Sequence, residues 1–278
     1  MNNSSFDKPL ISIIFVNYNG IAYTRGAVLS VLRHSQNSEV IVVDNCSTDD
    51  SVKALRNDFS SLTILSLHEN RGFGYGCNRG AEAAKGKYLF FLNNDTLLSE
   101  DTPEILSSFL EKNPSVGACG PKLLNPDGTF QVSFGLDPSF VNEYIVRRWQ
   151  HPRKSAREAI MSSLERRYAQ GKVDWVTGAA LMIRKDVFRK LNGFDESFFM
   201  YFEDADLCKR IRETGYSVIY LPKTSLIHLR GQSAKDSTSA IDLEYRRSQL
   251  YYYGKHRSPV AVLALRLYLA LRSLLQKM

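Results

Sequence analysis

The chain opens with short apolar runs separated by amphipathic stretches. Leu10–Val16 is a β-branched run after Pro9, and Glu39–Val43, Leu62–Leu67 and Lys87–Leu92 are three more. Between them, Ala22–Leu32, Asp50–Phe59 and Phe73–Lys85 read as helices, the second with Thr48 or Asp49 able to cap it. Strands alternating with helices predict an α/β fold, a mostly parallel sheet covered on both faces. The second half is less regular. Asp174–Ile183 reads as one strand and Lys185–Leu191 as a short helix stopped at Asn192-Gly193. Glu203–Thr214 reads as a helix stopped by Gly215, and Ser217–Leu221 as a strand ended by Pro222. Residues 135–172 and 231–245 are the segments expected to be mobile.

In parallel α/β sheets, ligands sit beyond the carboxyl ends of the strands. Here those ends read Asn17-Tyr18-Asn19-Gly20, Asp44-Asn45-Cys46-Ser47-Thr48-Asp49 and Asn93-Asn94-Asp95. One such cluster is an ordinary turn, since Asn and Asp favour turns. Three on one rim favour a binding edge. Asp95 follows the apolar run Tyr88–Leu92, so a strand would deliver its carboxylate to a fixed point, where a divalent cation could hold a diphosphate. Asp44 can accept a hydrogen bond from the ring N–H of uracil or thymine, or cap the helix after it, although Thr48 and Asp49 are better placed to cap.

Gly72-Phe73-Gly74-Tyr75-Gly76 with Gly80 gives the spacing GxGxxxG from Gly74, which is not the dinucleotide fingerprint. It serves either as a close backbone approach to a nucleotide or as a turn before a helix. In Phe198–Asp206, five apolar or aromatic residues lead into Glu203, Asp204 and Asp206. The helix dipole favours acids there by roughly 0.3–1 kcal/mol each when exposed. It does not explain the apolar approach. Burial and neighbouring acids raise a carboxylate's pKa, which suits a general base. His228 follows a strand, and a lone histidine is more often structural than a ligand.

Composition narrows the setting. The 278 residues, 44% hydrophobic and 23% charged, describe a globular chain. Four cysteines without a CxxC pair argue against a zinc site or a disulfide scaffold and fit a reducing cytosol. Met1–Asp7 has no apolar signal core. The net charge of +7 is concentrated: residues 145–172 hold eight Lys/Arg against two acids, and residues 244–278 hold seven against one. The second segment is also strongly apolar, so an anionic membrane surface is the better partner and nucleic acid is set aside. As a helix, Pro259–Met278 would be about 30 Å long, just enough to span a bilayer. Arg266 near its centre would cost about 2.5–3.5 kcal/mol. Arg266, Ser273 and Lys277 share one stripe, with Arg272 off it and Leu269 close to it, which favours a helix lying in the interface. The alternative is a helix packed on the protein's own core or on a second subunit.

Taken together these motifs resemble family 2 of the inverting glycosyltransferases, with the GT-A fold, and most of all its rhamnosyltransferase branch. The resemblance runs from about Ile11 to about His256. It rests on Val16–Asn19, Val43–Asp49, Asn70–Gly74 with Asn78, Leu92–Asp95, Trp175–Ala179, Gly193–Glu196, Glu203–Asp206 and His228–Ser233. It implies a mixed, mostly parallel sheet flanked by helices with a C-terminal amphipathic helical extension. Residues 1–256 would form the transferase domain, with a nucleotide-binding half over about 8–125 and an acceptor and catalytic half over about 126–256. Residues 257–278 would be a basic membrane-associating tail.

The resemblance also implies roles. Asp44 would read a pyrimidine base, and Asn17, Asn19, Asn45, Gly72, Asn78, Asn93 and Asn94 would serve the nucleotide pocket. Asp95, the last residue of a DxD-type motif, would bind Mg2+ or Mn2+, with His228 as a further ligand. Asp204, beside Glu203, would deprotonate the acceptor hydroxyl, and Trp175 and Gly178 would help form the acceptor side. Asn93 stands where the motif usually has Asp, which leaves one carboxylate and predicts weak metal binding without nucleotide. The implied reaction is a single displacement with inversion, needing no protein nucleophile. The implied donor is dTDP-L-rhamnose and the acceptor a lipid-linked or glycan sugar in bacterial surface-polysaccharide assembly, at the cytoplasmic membrane face. The alternatives are a related transferase using UDP-galactofuranose, UDP-galactose or UDP-glucose, or a catalytically silent sugar-nucleotide-binding protein. A processive synthase is disfavoured by the lack of a multi-span region and of a QxxRW motif.

Overall fold

Alternating apolar positions bury both faces of the first strands, so the sheet becomes the middle layer of the molecule. The computed structural model describes residues 10–150, 159–160, 163–164, 168, 171–229 and 238–275. Strand β1 (Ile11–Asn17) lies parallel to β2 (Ser38–Asp44) and β4 (Tyr88–Asn93), and β2 lies parallel to β3 (Thr63–Ser66). Helices α1 (Ile21–His34), α2 (Ser51–Asp58) and α3 (Phe73–Ala83) make the crossovers. Ile11, Ile13 and Phe15 pack on one face with Val28 and Val31 of α1 and Leu55 of α2. Ile14 packs on the other face with Cys77 and Ala81 of α3. Gly80 permits that contact, because a Cβ there would stand 2.5 Å from Ile14 Cγ2.

Beyond β4 the sheet becomes mixed. It continues through β5 (Thr96–Leu98), helix α4 (Thr102–Lys112), β6 (Val116–Leu124), β7 (Phe130–Gln131) and β8 (Phe134–Gly135). After helix α5 (Phe140–Gln150) come β9 (Gly171–Lys172), β10 (Trp175–Val176), β11 (Ala180–Arg184) and helix α6 (Lys185–Lys190). Helix α7 (Glu203–Glu213), β12 (Ser217–His228), α8 (Thr238–His256) and α9 (Pro259–Leu275) complete the chain. The strand order is β3-β2-β1-β4-β11-β6-β12-β5, with β11 antiparallel to both its neighbours.

Most expected elements form within a residue or two of their expected ends. The turns at Asn192-Gly193 and Gly215 form as read, all three residues at positive φ. Two expectations are corrected. Residues 174–183 are not one strand: β10 pairs with β8, β11 pairs with β4 and β6, and Thr177-Gly178-Ala179 turns between them. Pro222 does not end β12. A register irregularity between Leu221 and Ser225 absorbs the proline, as bulges do, and the strand runs on to His228. Of the two ranges expected to be mobile, 135–172 contains helix α5, and Thr238–Tyr245 of the other is the start of α8. The remainder of the two ranges lies mostly outside the described residues, as do Arg230–Ser233 of the motif after β12.

A third apolar cluster joins Phe198, Phe202 and Ala205 to Tyr252 and Tyr253 of α8 and Leu265 of α9. Helix α9 therefore packs on the protein through one face. Its outer face carries exposed Val260, Leu263, Leu267, Tyr268 and Leu271. Arg266 is exposed too. Among the described residues no helix is long and apolar enough to cross a membrane.

Candidate active site

The ends of β1, β2 and β4 form one rim because all three strands run parallel and in register. Asn17 pairs in register with Asp44, and Val16 with Asn93. Asn17 is fully buried and ties the rim together. Its Nδ2 donates to Asp44 Oδ1 (2.8 Å) and Ser47 Oγ (3.1 Å), and its Oδ1 accepts from Thr24 Oγ1 (2.7 Å). Asn94 Nδ2 donates to Thr24 Oγ1 (3.0 Å) and reaches Asn17 Oδ1 (3.4 Å). Asp44 is 2% exposed and accepts from Asn17, from Ser47 Oγ (2.6 Å) and, at Oδ2, from the Ser47 N–H (2.9 Å). That leaves Oδ2 with acceptor capacity.

Asn19, at a φ of 49°, holds the 47–49 loop: its Oδ1 accepts from the Thr48 N–H (2.8 Å) and lies 3.3 Å from the Asp49 N–H. Thr48 is occupied there, while Asp49 Oδ1 accepts from Ser51 N–H (3.1 Å) at the start of α2. Asn45 Nδ2 donates to Asn70 Oδ1 (2.8 Å) and Gly72 O (3.1 Å), while its buried Oδ1 has no hydrogen-bond partner. Gly72 has a φ of 97°, and a Cβ there would fall 2.0 Å from Phe199 O. Only glycine fits that contact.

Several residues expected to touch nucleotide are occupied with the protein itself. Asn78 donates to Phe194 O (2.9 Å) and Glu196 Oε1 (2.9 Å) and accepts from the Phe194 N–H (2.9 Å). Its amide braces the 193–196 turn and faces no pocket. Asn17 and Asn94 are buried braces in the same sense. The Asn and Asp signal read as ligand-binding therefore divides into scaffold (Asn17, Asn78, Asn94) and free capacity (Asn45, Asp44).

The continuation of β12 past Pro222 brings His228 opposite Thr96, one residue from Asp95. His228 Nε2 stands 3.2 Å from Asp95 Oδ1 and 3.4 Å from Asn93 Nδ2. His228 Nδ1 lies 2.7 Å from Oε1 of Gln131, a buried residue. No feature of the sequence near Gln131 pointed to it. Two ligands at adjacent corners of an octahedral cation, each about 2.1 Å from it, stand about 3 Å apart. The Asp95–His228 separation matches; the carboxylate suits Mg2+ or Mn2+, and the imidazole favours Mn2+ of the two. Among the described residues no group of three or more His, Cys, Asp and Glu could enclose a metal, so two protein ligands would leave the other positions to phosphate and water.

The acidic cluster is positioned by strain and by a backbone bond. Tyr201 and Phe202 both have positive φ (68° and 67°), and Phe202 forms the N-cap of α7. Consecutive non-glycine residues in this region are costly and mark functional segments. Asp204 Oδ2 accepts from the Gly178 N–H (2.9 Å) and Oδ1 from the Ala205 N–H (2.7 Å). This is why 177–179 turns rather than extends. The next residue, Ala179, accepts from the Asn93 N–H (3.0 Å), linking Asp204 to the end of β4. Burial raises the Asp204 pKa against the opposing backbone N–H groups. Burial, and then the charges of Asp204 and Asp206, push Glu203 up to about 8, and its Oε2 is buried without a partner.

Asp206 plays another part. It is fully buried and meets Arg210 Nε, Lys255 Nζ and His256 Nε2, each at 2.7 Å. Burial would raise its pKa, but these partners hold it below the ordinary value. It fastens α8 to α7. Trp175 is half-buried, donates Nε1–H to Leu136 O (2.9 Å), and covers Gly135, where a Cβ would fall 2.4 Å from the indole.

The sequence model for glycosyl transferase family 2 matches residues 12–191, and one described as N-terminal domain of galactosyltransferase matches residues 160–231. N-acetylglucosaminyl-diphospho-decaprenol L-rhamnosyltransferase of Mycobacterium tuberculosis is 26% identical over 265 residues, 86% of this chain and 85% of the relative. Rhamnosyltransferase WbbL of Escherichia coli is 24% identical over 270 residues, 89% of this chain and 94% of the relative. The mannosyltransferase PcManGT from Pyrobaculum calidifontis, solved with GDP-Man and Mn2+, superposes with a TM-score of 0.60 at 17% identity, over 94% of this chain and 70% of that one. The fold is the GT-A fold, and a matched segment covering well over half the chain, on a sheet rim of that architecture, places it in glycosyl transferase family 2 as a glycosyltransferase.

Proposed function

We propose that the chain transfers a sugar, L-rhamnose from dTDP-L-rhamnose, to a lipid-linked or glycan acceptor in bacterial cell-surface polysaccharide biosynthesis. One observation carries the reading of the chemistry. Asp204, its pKa raised by burial, is hydrogen-bonded to Gly178, and the adjoining Ala179 is bonded to the strand end that bears Asp95 and His228. The rhamnosyl donor is supported by the two relatives named as rhamnosyltransferases.

Asp44, through Oδ2, takes the ring N–H of the base. Asn45 Oδ1 and the Gly72 backbone line the nucleotide, with Asn19 holding the loop. Asp95 and His228 would hold Mg2+ or Mn2+, and the cation would supply charge neutralisation to the leaving nucleoside diphosphate. Glu203 is protonated at neutral pH and adds no charge beside Asp204. Asp204 accepts the acceptor hydroxyl proton as the oxygen attacks the anomeric carbon from the face opposite the leaving group. The C–O bond to the new sugar forms as the bond to phosphate breaks, so the product is inverted. Gly178 fixes the base, and the half-buried Trp175 borders the acceptor.

The catalytic domain is read as residues 1–256. The extension, 257–278, is read as docking on the inner, cytoplasmic face of the membrane. The outer face of α9 is apolar and residues 245–278 contain no acid, which suits an anionic surface and disfavours pairing two such segments. A UDP-galactose donor is the second reading, favoured by the galactosyltransferase-type match over 160–231. Incubation with Mg2+, membrane lipid extract and either dTDP-rhamnose or UDP-galactose, followed by mass spectrometry, tests both. A mass gain of one deoxyhexose supports the first reading, and one of a hexose replaces it with the second.

A further inference from the structure

We propose that Gln131 is a positioning residue that sets the tautomer of His228 and so aims the lone pair of Nε2 at the cation position beside Asp95. The proposal rests on the metal role read for that pair, but its first test does not.

The argument follows hydrogen-bond directions along the hairpin between β6 and β7. Asp127 carries a carboxylate, which accepts only. Thr129 Oγ1 donates to Asp127 Oδ1 (2.6 Å) and so accepts from Asn125 Nδ2 (2.9 Å). With its amide nitrogen turned to Thr129, Asn125 presents Oδ1, which accepts from Gln131 Nε2 (3.0 Å). Gln131 then has only Oε1 left for His228 Nδ1, 2.7 Å away. A carbonyl oxygen cannot donate, so Nδ1 carries the proton. In the neutral ring Nε2 is then an acceptor, consistent with the Asn93 amide nitrogen 3.4 Å from it. Two acceptors, Nε2 and Asp95 Oδ1, face each other at 3.2 Å, an arrangement that a cation between them satisfies.

The chain of bonds is held by folding rather than by chance. Gln131 is 3% exposed, and its backbone pairs with Leu123 in the sheet. The turn is tied by Asn125 N–H to Thr129 O (2.8 Å) and by Gly128 N–H to Asn125 O (2.9 Å). A partner that orients a metal-binding imidazole this way typically changes metal affinity 10–100-fold when removed.

Two variants separate the proposal from a packing role. Gln131→Met keeps the volume and removes the acceptor. Gln131→Glu keeps an acceptor for Nδ1–H and loses the donor to Asn125. The first measurement is nitrogen NMR of 15N-histidine-labelled full-length protein without metal, with His228→Ala identifying the signal. Wild type and Gln131→Glu should show the proton on Nδ1, and Gln131→Met should shift it towards Nε2. The second is Mn2+ binding in the presence of dTDP, read by electron paramagnetic resonance. Gln131→Met should bind about 10–100-fold more weakly, with Gln131→Glu closer to wild type. An Nε2–H tautomer in the wild type, or an unchanged tautomer in Gln131→Met, overturns the proposal. So does equal weakening of Mn2+ binding in both variants, which would make Gln131 a hairpin residue only. If the tautomer responds as expected while His228→Ala binds Mn2+ like wild type, the metal reading fails instead, and the positioning of His228 stands apart from it.

Discussion

The rim at the ends of β1 and β2 and the start of α7 are both acidic, polar and buried, yet they are built differently. At the rim, Asn17, Thr24, Asp44, Ser47 and Asn94 bond to one another, and the orphaned oxygen beside them, Asn45 Oδ1, belongs to a neutral amide. At α7, Glu203 keeps a buried oxygen without a partner, Asp204 and Glu203 have raised pKa values, and Tyr201 and Phe202 hold strained dihedrals. A satisfied network gives a rigid, preformed surface. Unsatisfied, strained acids give reactivity at the expense of stability. On the proposed function, the contrast teaches that the donor side is organised for shape and the acceptor side for proton transfer.

Substitutions can break that contrast. The largest effect is expected at Asp204: Asp204→Asn should lower kcat by about 10²–10⁴-fold while thermal-shift titration with nucleotide stays unchanged. Retained turnover would remove Asp204 as the base. Next is Asp206, whose loss removes the shared partner of Arg210, Lys255 and His256 at the α7–α8 contact. Asp206→Asn should cost about 3 kcal/mol in urea unfolding. Asn17→Ala opens the network around Asp44 and should cost about 2 kcal/mol, with nucleotide binding weakened in proportion to the loosened rim. An unchanged unfolding midpoint would show that the rim does not depend on Asn17.

The smallest effect sharpens the comparison through pH. Glu203 titrates at about 8 in the folded protein against an ordinary value of 4.5. Between those values the folded state holds a proton that the unfolded state has released. Stability therefore falls as pH rises through that window, opposite in sign to a salt-bridged carboxylate. Glu203→Gln should flatten the slope, read as a smaller loss of urea midpoint between pH 5 and pH 8. A variant with the wild-type slope would locate the pH dependence elsewhere.

Much of this was legible along the chain. The parallel half follows from period and from turn residues, and Asn192, Gly193 and Gly215 stop their segments where they stand. His228 was paired with Asp95 only through the family resemblance, and the structure brings the two together. What could not be read was which polar residues are spent on the protein. Asn17 and Asn78 carry the same side chain as Asn45, and their different burial partners come from segments 27 to 118 residues away. Gln131 gave no local signal because its partner lies 97 residues on. Pro222 misled because a bulge can absorb a proline that an isolated strand cannot.

Local chemistry, namely side-chain period, turn preference and the apolar approach to each acid, thus settled the strand–helix alternation and the placing of Asp95 and of Glu203–Asp206 at element ends. Those properties depend on neighbours within a few residues and survive in any fold. The antiparallel insertion of β11, the meeting of His228 with Asp95, the unpaired oxygen of Glu203 and the apolar outer face of α9 were set by packing. Burial and hydrogen-bond completion are properties of the assembled chain, and distant residues decide them.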